Sequence, residues 1–326
     1  MRLRIIKILL IIVLPLTGSY LFYHKAGFFY KEPNSFRDKM GYLYDGAGPK
    51  DVLFLGSSRV LRHIDPRVVD NICHIDSYNL GVEGMNIPEL RMMLRVCIRQ
   101  RKAPKVLVLN IDPSNLQTDQ VFFDLPELLD YADRDTVVYH AMADVQSIYR
   151  DRWKYPCYRL QRYTAINDGF KVDALSEGTE KFHRRVVALW GDTATGTGYK
   201  GYRPKCEDYH EPKTPPFHVT WQTRGFELLR DVIHTCRENE IRLVLVTAPM
   251  YKDYGSLFLN ADSLAAGIAA LAREENVVYF NKMRDSVSVD KQNFINIDHL
   301  NCRGAALYSA ELAALLSRLG VSAIKK

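Results

Sequence analysis

A chain of 326 residues fits one large domain or two ordinary ones, and 47% hydrophobic against 25% charged residues excludes an intrinsically disordered protein. The net charge of +6 is small for this length, and the lysines and arginines are dispersed, so the composition speaks for solubility rather than nucleic-acid binding. Six cysteines, Cys73, Cys97, Cys157, Cys206, Cys236 and Cys302, fit an oxidising compartment and allow fifteen pairings, but none form a Cys-x-x-Cys pair, which argues against a zinc or thioredoxin-type centre.

Arg2, Arg4 and Lys7 precede an apolar run from Ile8 to Tyr23, broken only by Pro15, Thr17, Gly18 and Ser19. With Ile5 and Ile6 added and Lys7 snorkelling, the run approaches the ~20 residues of a membrane span. Bulky Tyr20, Phe22, Tyr23 and Phe28 occupy the place where a small-residue cleavage site would lie. Residues 1–30 therefore read as an uncleaved signal anchor rather than a signal peptide, with the rest of the chain on the extracytoplasmic side. Residues 31–50 read as a polar stalk.

From Asp51 a strand–helix alternation begins. Asp51–Leu55 is an apolar run suited to a buried strand, ended by Gly56-Ser57-Ser58 and a short helix start at Val60, Leu61 and Ile64. A serine there sits at the carboxyl edge of a parallel sheet, where ligands bind in open α/β folds, although serine is also a favoured helix cap. Asp76–Asn86 reads as a short strand and a glycine-bearing loop, with Asn86 and Pro88 opening a helix. Lys105–Ile111 is a third strand, Ile241–Thr247 a fourth and Asn276–Phe280 a fifth, each followed or preceded by helical periodicity. Residues of about 117–214 lack a buried strand and are rich in tyrosine, arginine and aspartate, which predicts a largely helical insertion within an α/β domain spanning 51–320. Within it, Asp192–Gly201 reads as a flexible loop, since no apolar strand feeds it and no Gly-Lys-Ser/Thr follows. The predicted fold is a doubly wound, five-stranded parallel sheet.

The residues that carry chemistry lie at the two ends of this domain. A serine nucleophile needs a base within hydrogen-bond reach, and the base needs an orienting acceptor. His299, in a loop before the last helix, has Asp298 beside it and Asn296 three positions earlier.

Leu55-Gly-Ser-Ser58 resembles the first block of the SGNH (GDSL-like) hydrolase superfamily, Asn79-Leu-Gly-Val-Glu-Gly84 the second, and Asp298-His299-Leu-Asn-x-x-Gly304 the last. The resemblance covers about 51–115 and 217–320. It implies Ser58 as nucleophile, His299 as base and Gly84 as an oxyanion donor. Two departures stand out. Asn296 holds the place where the superfamily usually has aspartate, leaving Asp298 or Asn296 as the orienting residue. The third block, Gly-x-Asn-Asp, is replaced by Asp112-Pro-Ser-Asn115, with Ser114 in the register of the oxyanion asparagine and Asn115 one position out. The anchor, the Gly-Ser-Ser variant and the insertion are similar to membrane-anchored members of the DltD and alginate-acetylation type. That likeness implies ester hydrolysis or acyl transfer on a cell-envelope or secreted glycan, with a membrane acyl-donor partner and no metal or organic cofactor. The rival expectation is a catalytically degenerate scaffold of this superfamily that binds glycan or a membrane partner.

Overall fold

The computed structural model describes residues 13–14, 17–18, 36–46, 48–116, 128, 131–132, 134–145, 197–199, 209, 215–219, 223–253 and 257–322. In chain order the regular elements are α1 (Phe36–Asp45), β1 (Val52–Leu55), α2 (Ser58–His63), α3 (Pro66–Cys73), β2 (Ser77–Asn79), α4 (Ile87–Arg99) and β3 (Val106–Asn110). They continue with α5 (Thr136–Val145), α6 (Thr223–Glu238), β4 (Arg242–Thr247), α7 (Ala261–Glu274), β5 (Val278–Asn281) and α8 (Cys302–Arg318). The chain divides into two compact units, Met1–Glu32 with Asp124–Trp190, and Pro33–Phe123 with Gly191–Lys326. In the first unit α5 buries Val138, Met142 and Ala143, and Asp135 accepts from the Val137 N–H at 2.8 Å ahead of it.

The second unit is built on one five-stranded sheet in the order β2-β1-β3-β4-β5, with every pairing parallel. Leu53 pairs with both Tyr78 and Leu107, and Leu107 in turn with Leu243. This is the expected doubly wound sheet. The strand order reverses between β1 and β3, and the crevice at the carboxyl ends of those two strands is where such sheets bind ligands. β1 and β3 are fully buried apolar runs because helices cover both faces. β5 begins two residues later than the apolar run Asn276–Phe280 predicts, because Asn276 takes a left-handed conformation (φ 54) that closes the end of α7.

Segment 31–50 is corrected by the structure. Instead of a polar stalk it holds α1, whose Phe36, Met40 and Leu43 are buried at helical spacing. Its fully buried Lys39 donates to the carbonyls of Asn79 (2.6 Å) and Gly198, and Tyr42 stacks on Tyr78 at 4.0 Å between ring centroids. The lysine aliphatic stem supplied the apolar surface that a count of charges hides. Thr197–Tyr199, part of the segment read as a flexible loop, also packs here: the Asn79 N–H donates to Thr197 O at 2.9 Å. The rest of Asp192–Gly201 and most of the predicted insertion lie outside the described residues.

Among the described residues no helix is long and apolar enough to cross a membrane; of the run Ile8–Tyr23 only residues 13–14 and 17–18 are described. Cys73, Cys97 and Cys236 are buried free thiols and Cys302 is half-buried at the start of α8, while Cys157 and Cys206 lie outside the described residues. Burial pushes the Cys97 and Cys236 thiols up to about 12, so both act as apolar core groups.

Two glycines let the first and second motif loops touch. A Cβ on Gly81 would stand 2.4 Å from the backbone nitrogen of Leu61, and one on Gly56 the same distance from a Val60 methyl. Gly81→Ala therefore pushes α2 away from the β2 loop. It is expected to cost about 1–3 kcal/mol in urea unfolding. Gly41→Ala, in α1 with open space around its Cβ, is expected to stabilise by about 0.5–1 kcal/mol.

Candidate active site

The two serines after β1 divide their work. Ser57 is the N-cap of α2, although its Oγ accepts from the Arg59 N–H only at 3.5 Å. Ser58 is the first helical residue, and its Oγ lies 2.8 Å from His299 Nε2, joining residues 241 positions apart. After the half-buried Ser58, α2 is buried to its end, charged side chains included: Arg59 pairs with Asp112, Arg62 with Glu83, and His63 with a backbone N–H.

His299 is held in a tight turn after β5. The Ile295 N–H donates to His299 O at 3.0 Å and Phe294 bridges Leu300 in antiparallel fashion. Asn296 Oδ1 closes this turn, accepting from the Asp298 N–H (3.1 Å) and His299 N–H (2.8 Å). The same oxygen lies 3.2 Å from His299 Nδ1, and Asp298 Oδ1 lies 3.0 Å from it. Both sequence candidates for the orienting residue thus reach the imidazole. A carboxylate oxygen and an amide carbonyl oxygen can only accept, so Nδ1 carries the proton and Nε2 is left as an acceptor facing the Ser58 hydroxyl. Burial opposes ionisation of Asp298, but the His299 ring beside it, with Arg59 beyond, holds its carboxyl well below the usual carboxylate range.

The rest of the last motif fixes this loop on the domain. Asn301 caps α8 by accepting from the Gly304 N–H at 3.0 Å, and a Cβ on Gly304 would meet Asn293 O at 2.3 Å. α8 docks on α2 and α3 through Ser309, whose Oγ accepts from the Asp65 N–H at 2.9 Å and donates to His63 O at 3.3 Å. In this way a loop leaving the edge strand β5 reaches across to the end of β1.

A cavity of about 170 Å³ opens beside the serine, lined by Ser57, Ser58, Arg59, Gly84, Met85, Asn86, Asp112, Asn115 and Asp298. Gly84 has φ 69, a left-handed conformation that favours glycine. Asn79 ties the second motif to α2: its Nδ2 donates to Val60 O and Ile64 O at 2.7 and 2.8 Å, and its Oδ1 accepts from the Gly81 N–H. Asn115 lines the cavity, yet its amide is engaged: Nδ2 donates to Met85 O and Oδ1 accepts from the Asp112 N–H. It joins the second and third motif loops. Ser114 lies in the 3₁₀ turn Pro113–Leu116, and its side chain is outside the described residues.

Asp112, its partner Arg59, and His63 were not read from sequence as functional. Asp112 accepts from Ser57 Oγ (2.5 Å), Arg59 Nη1 (2.8 Å) and Asn110 Nδ2 (2.7 Å). Its place at the carboxyl end of β3, beside the reversal in strand order, was the available signal. His63 is fully buried, and its Nε2 accepts from the Leu300 N–H at 3.0 Å, so the backbone next to His299 rests on it; the two imidazoles meet edge-on at 6.1 Å. Burial, then the His299 ring and Arg59, lower the His63 pKa well below 6.5, against an opposing pull from Asp298. Folded His63 stays neutral, whereas in the unfolded chain it takes up a proton below about pH 6.5. Its contribution to stability is therefore present above that pH and lost as pH falls. Urea unfolding is expected to weaken by ~1.4 kcal/mol per pH unit below 6.5 from this group, and His63→Asn is expected to remove that part of the slope.

No protein-family model matches the sequence, and no curated protein matches it. Solved structures similar to this chain include a candidate acylhydrolase of Bacteroides fragilis, at 12% identity and a TM-score of 0.43, with 89% of this chain and 100% of that one covered. A GDSL-like lipase of Bacteroides thetaiotaomicron is similar at 10% identity and the same TM-score, with 87% of this chain and 100% of that one covered.

Proposed function

We propose that this chain is a serine esterase or O-acyltransferase working through an acyl-Ser58 intermediate. The observation that carries the reading is the Ser58 Oγ to His299 Nε2 distance of 2.8 Å, with Nδ1 held by acceptor-only oxygens. His299 takes the hydroxyl proton as Ser58 Oγ adds to an ester carbonyl. The ester C–O bond then breaks, and the imidazolium returns the proton to the leaving alcohol. Asp298, with Asn296, orients His299 and stabilises the imidazolium. Ser58 and Gly84 are the backbone N–H donors for the oxyanion, and Asn115, which lines the cavity, gives one Nδ2 hydrogen to Met85 O and keeps a second. Water or a sugar hydroxyl then resolves the acyl-serine.

The substrate class in this reading is an acylated cell-envelope or secreted glycan, met outside the membrane by a domain tethered through residues 1–30, with a membrane acyl donor as partner in the transfer version. The test is release of p-nitrophenol from p-nitrophenyl acetate by the full-length protein, with and without a polysaccharide acceptor. Turnover abolished by Ser58→Ala is expected. Acetylated polysaccharide among the products marks transfer, and free acetate alone marks hydrolysis. No turnover by folded protein contradicts the reading.

The altered third block, Asp112-Pro-Ser-Asn115, favours one alternative, a binding scaffold without turnover. Glycan binding that survives Ser58→Ala in a protein that never releases p-nitrophenol is its signature.

A further inference from the structure

On the reading of Ser58 as nucleophile, we infer that Asp112 is a positioning residue that clamps the chain on both sides of it. The carboxylate accepts from the side chain of the residue before the nucleophile, Ser57 Oγ at 2.5 Å, and from that of the residue after it, Arg59 Nη1 at 2.8 Å. All three groups are nearly inaccessible to solvent, so neither contact competes with water. The first distance is that of a short, charge-assisted O–H···O⁻ bond. By contrast, the capping contact of the same hydroxyl is at the outer limit of hydrogen bonding, at 3.5 Å. The principal engagement of Ser57 is with Asp112, not with the helix.

The carboxylate is itself fixed from β3 and β4. Asn110 Nδ2 donates to it at 2.7 Å, while Asn110 Oδ1 accepts from the Ala248 N–H at 2.8 Å. The Asp112 N–H is held by Asn115 Oδ1. The clamp is therefore anchored in the sheet rather than in the loop it controls.

Two consequences bear on the reaction. Adjacent hydroxyls, Ser57 and Ser58, stand at one helix start, and only one can face His299. Asp112 accepts the hydrogen bond of the first, which leaves Ser58 as the hydroxyl that donates to Nε2. The clamp also fixes the backbone between Ser57 and Arg59, and so the direction of the Ser58 N–H, one of the two backbone donors to the oxyanion. The third motif of this chain supplies a carboxylate that sets the geometry of the nucleophile turn.

The test is Ser57→Ala, which breaks one arm of the clamp and leaves the buried Arg59–Asp112 pair intact. With p-nitrophenyl acetate, kcat is expected to fall about tenfold with KM unchanged, because an interaction that only orients the reacting group acts on the transition state. Ser57→Thr, which restores the hydroxyl, is expected to recover most of kcat. Loss of a helix cap alone would lower the melting temperature without that split. Wild-type kcat in Ser57→Ala, a rise in KM with kcat retained, or a failure of Ser57→Thr to recover activity each overturns the clamp. The whole series is referred to wild-type turnover that vanishes in Ser58→Ala. If the wild type itself shows none, the nucleophile reading falls and the clamp with it; if the wild type turns over and Ser57→Ala matches it, the clamp falls alone.

Discussion

Asp298→Ala is expected to lower kcat for ester turnover by about 10²–10³-fold with KM little changed. Its carboxylate is the nearest acceptor to His299 Nδ1, at 3.0 Å, and the neighbouring imidazole keeps it ionised. Losing a sole orienting carboxylate can cost ~10⁴-fold. Here the loss is smaller because Asn296 Oδ1 remains at 3.2 Å and still selects the Nδ1–H tautomer. Asp298→Asn is expected to be at least as damaging. Its amide can present N–H to Nδ1, which moves the ring proton to Nε2 and leaves Ser58 facing a donor. Asn296→Asp keeps the acceptor for the Asp298 and His299 N–H groups and is expected to stay within a few-fold of wild type, whereas Asn296→Ala opens the turn. Steady-state kinetics on the four variants check this. A larger loss in Asn296→Ala than in Asp298→Ala would mean that the turn, not the carboxylate, orients the base.

Asp112→Ala is expected to cost about 3–5 kcal/mol of stability. It withdraws a buried carboxylate from three donors at once, including a guanidinium that is 5% exposed. Ser57→Ala leaves that pair intact and removes the hydroxyl only, so it is expected to cost about 1.5–3 kcal/mol. Chemical unfolding of both variants separates the two. An Asp112→Ala protein as stable as the wild type would show that water or rearranged side chains replace the carboxylate at no cost.

The sheet was legible in the sequence because β1, β3 and β4 are apolar on both faces, a pattern that needs no partner to be recognised. β2 was harder. Ser77, Tyr78 and Asn79 are polar yet buried, since Ser77 donates to Asp70, Asn79 to α2 carbonyls, and Tyr78 stacks on Tyr42. α1 was misread for a related reason: Lys39 is a buried residue whose charge finds two carbonyls. At the site, Ser58 and His299 could be named because each sits in a short motif whose neighbours have packing reasons to be what they are, Gly56 and Gly81 for the first, Asn301 and Gly304 for the second. Arg59 and His63 could not be named, because their roles are contacts across 53 and 237 positions that no local pattern records, and Asp112 was marked only by its place at the end of β3. The choice between Asp298 and Asn296 was open in sequence because neighbouring side chains usually diverge. The turn closed by Asn296 Oδ1 brings both to one ring nitrogen.

The central claim is that His299 activates Ser58. It is tested most directly by incubating the folded full-length protein with a fluorophosphonate and locating the adduct by mass spectrometry. One phosphonyl group on Ser58, absent in Ser58→Ala and strongly reduced in His299→Ala, is the predicted result. Folded wild type without adduct, or an adduct that persists in His299→Ala at the wild-type rate, would contradict it.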